Sequence, residues 1–135
     1  MIRLSCSLFS KLLLLTVLTG QAVGGASSHN QQQEIDHLLQ FIEHSDCTFI
    51  RNNRSYSGVR AREHIENKFN YVKKRKQQLS AEEFIEYAAS RSSLSKKQYQ
   101  VNCGPDTLTS ESWLVGELER YRQEVIDNSS MQGGQ

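Results

Sequence analysis

Apolar positions recur along this chain at two different periods, and each period predicts a different kind of element. Ile35, Leu38, Leu39 and Ile42, with Phe41 beside them, repeat at the three-and-four spacing of one helix face and predict a helix over 32–45. Glu34 and Asp36 fall in its early turns, where the helix dipole favours acids. The pattern then changes. Cys47-Thr48-Phe49-Ile50-Arg51 is short and rich in strand formers, and Arg54-Ser55-Tyr56 runs back after Asn52-Asn53. Asparagine tolerates the positive φ of a two-residue hairpin turn, so this segment predicts a hairpin with Phe49 opposite Tyr56.

Helical spacing returns at Ala61, Ile65, Phe69 and Val72, predicting a helix over 58–76 with Ser57 at its cap and Lys73-Lys74-Arg75-Lys76 at its negative end. Ser80-Ala81-Glu82-Glu83 is a capping box and opens a third helix, 81–90, that buries Phe84, Ile85 and Ala88. A serine-rich loop follows from Ser90. Tyr99-Gln100-Val101-Asn102-Cys103 alternates with the period of two that marks a half-buried strand. Gly104-Pro105-Asp106 reads as a turn. Thr109 or Ser110 caps a fourth helix, 111–126, carrying Leu114, Leu118, Tyr121 and Val125, with Trp113 alongside. The polar residues 27–33 read as a flexible lead-in, 34–127 as a single compact domain and 128–135 as a disordered tail. The fold class is α+β: mainly helical, with four helices and a small two- or three-stranded antiparallel sheet.

The start of the chain has a third pattern. Arg3 and Lys11 precede the apolar run Leu12-Leu13-Leu14-Leu15-Thr16-Val17-Leu18, and small residues follow up to Gly24-Gly25-Ala26. This is the layout of a signal peptide over residues 1–26, cleaved before Ser27, with cleavage after Ala22 as the alternative. The run is well short of the roughly 20 apolar residues that span a bilayer. The mature protein is therefore expected to be soluble, with no membrane association after cleavage.

Cleavage changes what composition implies. Cys6 leaves with the leader, so the three cysteines become one pair, and in an oxidising compartment Cys47 and Cys103 are expected to bridge. Cys47 opens the first strand and Cys103 closes the last. Antiparallel pairing sets Phe49 against Val101 and Arg51 against Tyr99, and brings the two cysteines together. Closing a loop of about 57 residues is worth roughly 4 kcal/mol on the chain-entropy argument. Arg3 and Lys11 also leave, taking the 16 basic residues to 14 against 15 acidic ones. A near-neutral mature chain argues against nucleic acid as a partner. Charge is nonetheless uneven: residues 60–76 hold seven Lys/Arg against two Glu, and 106–127 hold six acids against two Arg.

No nucleophile elbow, zinc-protease motif, P-loop or dinucleotide glycine pattern occurs. His37 and His44 are seven apart, where helical metal pairs sit at three or four, so neither a metal nor a cofactor is expected. Asn53-Arg54-Ser55 and Asn128-Ser129-Ser130 match the glycosylation sequon, a short pattern that matters only on a eukaryotic secretory route. His64 and Lys68 stand one turn apart on an otherwise apolar helix face. Polar groups in such a place need partners. In the bland reading His64 bonds a loop carbonyl and Lys68 extends its amine to solvent.

Several segments, in order and spacing, resemble one family. They are Cys47-Thr48-Phe49-Ile50-Arg51-Asn52-Asn53, then His64-Ile65 with Lys68-Phe69, then Phe84-Ile85, then Ser92-Ser93 leading to Tyr99, Val101 and Cys103, then Trp113-Leu114. They resemble the YfeK-like proteins, small uncharacterised exported proteins of Gram-negative bacteria, over residues 34–122. That family commonly has Asn-Gly at the hairpin turn, where this chain has Asn52-Asn53. It often has Ser-Gly after the serine pair, where this chain has Ser95-Lys96. The resemblance implies a periplasmic home, with secretion as the alternative, and supplies no activity. The polar residues at matching positions are Arg51, His64, Lys68, Ser92, Ser93 and Tyr99. They are the candidate binding residues, expected to gather around a shallow recess in which His64 titrates near neutral pH. Arg and Lys suit carboxylates and phosphates. The expectation is a non-enzymatic periplasmic binding or accessory protein for an anionic or glycan ligand or an unknown envelope partner. The alternative is a small Ser/His or Ser/Lys hydrolase.

Overall fold

A computed structural model describes residues 24–132. All but the last three residues of the expected leader lie outside that range, as does the end of the expected tail. The order of elements is α1 (Gly24–His44), β1 (Thr48–Arg51), β2 (Arg54–Tyr56), α2 (Gly58–Lys73), α3 (Ala81–Phe84) running without a break into a π-helical turn (Ile85–Ala89), β3 (Gln100–Cys103), β4 (Asp106–Thr109) and α4 (Ser110–Gln132). The strands form one antiparallel sheet in the order β2-β1-β3-β4. The class is α+β, with four strands rather than two or three.

Register follows from alternation. Phe49 is the inward residue of β1. It pairs with Tyr56 on one side and Val101 on the other, which puts three apolar groups in a row across the sheet. Asn52 and Asn53 take φ of 50° and 63°, as a two-residue hairpin turn requires. Leu38 and Ile42 of α1, Phe84 of α3 and Leu114 of α4 are sealed against the sheet's inner face. Phe69 of α2 meets Phe84 edge-on at 5.2 Å. Trp113 stacks on Phe41 at 4.4 Å and meets Phe49 edge-on at 5.5 Å, joining both long helices to β1.

Two close approaches fix this arrangement. Cys47 and Cys103 form a disulfide, with Cα atoms 4.6 Å apart at the end of the β1–β3 ladder, inside the range a bridge tolerates. Gly58 opens α2 directly beneath the last carbonyls of α1. A Cβ there would run into the Ile42 oxygen and lie 2.9 Å from that of Glu43. Only glycine lets the two helices cross so closely.

The structure departs from the expected elements in four places. First, β4 occupies Asp106–Thr109, where only a turn and a cap were expected. Gly104, at φ 81°, with Pro105 turns the chain so that Cys103 pairs with Asp106. As an edge strand it leaves most of its side chains in water, Leu108 included, so no alternation marks it. Second, the third helix widens into a π turn after Phe84. Third, α2 stops at Lys73, the first residue of the basic run, and not at Lys76. Fourth, the long helices overrun their expected bounds. α1 includes the polar stretch 27–33 expected as a lead-in, and α4 continues through 128–132 of the expected tail. No glycine or proline interrupts either stretch. Local bonds hold both: Gln32 Nε2 to Asp36 at 2.8 Å, and the hydroxyls of Ser129 and Ser130 to carbonyls one turn back at 2.7 and 2.9 Å.

Candidate functional site

Arg51 ends β1, immediately before the hairpin turn, and its side chain crosses to α2. Its Nη1 lies 2.6 Å from Nδ1 and 2.8 Å from Nε2 of His64, and Nη2 lies 3.4 Å from the Tyr56 hydroxyl. The guanidinium also rests over the Tyr56 ring at 5.1 Å. Tyr99, just before β3, is held by its N–H to the Ser90 carbonyl at 2.8 Å. Its hydroxyl lies 3.0 Å from His64 Nε2 and 3.5 Å from Lys68 Nζ. Lys68, one turn beyond His64, donates to the Arg91 carbonyl at 2.6 Å and sits 5.1 Å over the Tyr99 ring. Arg51, His64, Tyr99 and Lys68 thus form one continuous polar cluster between the sheet and α2.

Electrostatics sets the protonation. Burial, with the Arg51 and Lys68 charges beside it, lowers the His64 pKa to about 4, so the ring is neutral at pH 7. This corrects the expectation of a histidine titrating near neutrality. A guanidinium only donates, so His64 accepts from it. The shorter contact assigns Nδ1 as the acceptor from Arg51, and Nε2–H then donates to the Tyr99 oxygen. Burial, with Arg51 and Lys96 nearby, lowers the Lys68 amine to about 8. Burial also raises the Tyr99 phenol, which stays protonated. Lys68, not His64, is therefore the group poised near physiological pH.

Arg51, His64 and Tyr99 of this cluster line a hollow of about 250 Å³ with Phe49, Ala61, Ile65 and the Arg60–Glu63 ion pair, and Lys68 lies just outside it. Ser110, at the first position of α4, lines the same hollow. Its residue is wholly buried and its hydroxyl has no hydrogen-bond partner. Ser92 and Ser93 stand with Lys68 on a second, adjoining hollow. Ser92 is buried and structural: its hydroxyl accepts from Ser95 N at 3.3 Å, and its backbone brackets the loop through Lys97 and Lys96. Ser93 is exposed. The six expected residues therefore divide between two neighbouring hollows, with the Lys68–Tyr99 contact as their shared wall. Tyr56 and Ser110 belong to the site and were not expected from the sequence. Tyr56 was legible only as a strand partner of Phe49, and Ser110 only as a helix cap. Among the described residues no group of three or more potential ligands could hold a metal ion.

A second polar cluster lies on the far side of α1. His37 Nε2 is 2.6 Å from Glu117, which is nearly buried and also takes a two-point bond from Arg120 at 2.7 and 2.8 Å. Those contacts, Arg120 first, hold the Glu117 carboxyl below its ordinary range. Every charge there has a partner, and the cluster serves to join α1 to α4.

The sequence profile of a family of unknown function, DUF5329, matches residues 29–122. The chain belongs to this family. The matched span contains the whole disulfide-closed domain and every residue of both hollows. No curated protein and no solved structure matches the chain.

Proposed function

We propose that this is an exported envelope protein that binds a small organic anion in the hollow beneath Arg51, His64 and Tyr99. One observation carries the reading: the free hydrogen-bonding capacity of the cluster consists of donors. Arg51 and Lys68 are half-buried, and among the described residues neither has a carboxylate within ion-pair distance. With Nε2–H and Lys68 both donating to its oxygen, the Tyr99 hydroxyl proton has no acceptor in the cluster. The Ser110 hydroxyl is unpartnered as well. Two half-buried cations with no counter-charge carry a desolvation cost that an anion would offset. A carboxylate or phosphate on an apolar floor supplies the missing acceptors.

The leader pattern, the disulfide and the likeness to YfeK-like proteins of Gram-negative bacteria support a periplasmic location. No helix of the described residues is long and apolar enough to cross a membrane. A hydrolase using a serine with His64 or Lys68 as base has less support. His64 is occupied by Arg51 and Tyr99, and the buried Ser92 hydroxyl is turned to its own loop.

Two measurements test the reading. N-terminal sequencing of protein from the periplasmic fraction should begin at Ser27, and a start at Met1 there contradicts the export step. Calorimetric titration with hexanoate and with inorganic phosphate should show binding that is weakened about tenfold or more in Arg51→Gln. Equal affinity in wild type and variant contradicts the site.

A further inference from the structure

The second hollow, of about 260 Å³, is built by three elements, α2, the π turn and the serine loop. Lys68 reaches it from α2. The π turn presents Glu86 and Tyr87, and ends in Ser90, whose hydroxyl caps the Glu86 carbonyl at 2.7 Å. The serine loop contributes Arg91, Ser93 and Lys96. A π turn inside a helix re-aims side chains and recurs at functional sites. Lys96 is held at φ 61°, a backbone conformation that non-glycine residues seldom adopt. The loop that imposes it is tied down at both ends. Ser92 N bonds the Lys97 carbonyl at 2.9 Å, and the Ser95 hydroxyl bonds Asn52 of the hairpin turn at 2.7 Å. That last bond fastens the loop to the residue next to Arg51.

Charge in this hollow is also one-sided. Lys68, Arg91 and Lys96 face a single acid, Glu86, and none of the four is within ion-pair distance of another. The first hollow ends where this one begins: Lys68 lines the second, Tyr99 lines the first, and the two side chains touch.

We infer that the two hollows are subsites for one extended ligand carrying an acid group at each end, a dicarboxylate or its phosphorylated equivalent. One acid meets Arg51 and Tyr99. The other meets Arg91, Ser93 and Lys96. Lys68, between them, serves both. The inference rests on the first hollow being an anion site, and goes beyond it in giving the number of anionic groups. Joining two weak sites through one ligand converts the second contact into an intramolecular one, so affinity depends sharply on linker length.

The test is calorimetric titration of the full mature domain with linear dicarboxylates from succinate to sebacate, each against the monocarboxylate of equal chain length. The dicarboxylates should pass through an affinity maximum at one intermediate length, at least tenfold tighter than the matching monocarboxylate. Arg91→Gln/Lys96→Gln, two exposed positions outside the core, should bring each dicarboxylate down to the affinity of the matching monocarboxylate on the same variant. Arg51→Gln should weaken both series. A flat dicarboxylate series equal to the monocarboxylates overturns the two-subsite inference and leaves the single anion site standing. So does a gain that survives the double substitution. Absence of binding by either series overturns both.

Discussion

The Tyr99 hydroxyl lies 3.0 Å from His64 Nε2, so a residue at the start of one strand is joined to the middle of α2 by a polar contact inside an otherwise apolar interface. The Arg51 contact on the ring's other nitrogen exists only while the imidazole is neutral, because a protonated ring has no acceptor. Protonating His64 would set a cation against two others.

Acid stability follows from this. The His64 pKa falls from an ordinary 6.5 to about 4 on folding. Between those values the unfolded chain binds more protons than the folded one, so the contribution is complete above pH 6.5 and is lost as pH falls through about 4. Urea midpoints measured from pH 7 to pH 4 should drop more steeply in wild type than in His64→Gln. Parallel profiles would show that the ring does not carry the effect.

Gly58→Ala tests the crossing of α1 and α2. The added methyl meets backbone oxygens that cannot rotate away. The loss should be about 2–4 kcal/mol by chemical denaturation, whereas Gly116→Ala, inside α4 where a Cβ meets nothing, should gain about 0.5–1 kcal/mol.

The Cys47–Cys103 bridge joins positions 56 residues apart. Replacing both cysteines by serine should cost up to about 4 kcal/mol, through the freedom regained by the unfolded chain. Refolding in the presence of reductant should show the same deficit.

Ser110→Ala removes a buried hydroxyl that has no partner. The free domain should be unchanged or stabilised by about 1 kcal/mol, which thermal unfolding would read. Marked destabilisation would mean that the hydroxyl is satisfied within the protein, and would remove one support of the anion site.

Much of this was legible in residue order, and what was missed shares a cause. Asn52-Asn53 identified the hairpin because few residues accept positive φ, and Ser80 with Glu83 identified a helix start because both bonds of the capping box are local. His64 and Lys68 stood out as polar groups on an apolar helix face, while Arg51 and Tyr99 came from the positions that carry the family resemblance. β4 was not legible, because an exposed edge strand has no buried face to impose alternation. The π turn depends on how Ile85 and Ala88 pack, not on local preference. The ends of α1 and α4 depend on polar residues whose helicity is a matter of small local bonds. Ser92 entered the candidate set through the family resemblance, and its hydroxyl is spent inside the loop.

The most direct measurement is the Lys68 ammonium pKa, followed by NMR through the side-chain resonances with and without saturating hexanoate. Its environment contains Arg51 of β1, His64 of α2, Tyr99, Lys96 and Arg91 of the loop, and Glu86 of the π turn, and its free value is about 8. An anion beside it favours the charged form, so the value should rise by a unit or more on binding. By linkage, hexanoate affinity should fall as pH climbs through about 8. A Lys68 titration that is unchanged by saturating hexanoate, with affinity level from pH 7 to pH 9, would contradict an anion site at this cluster.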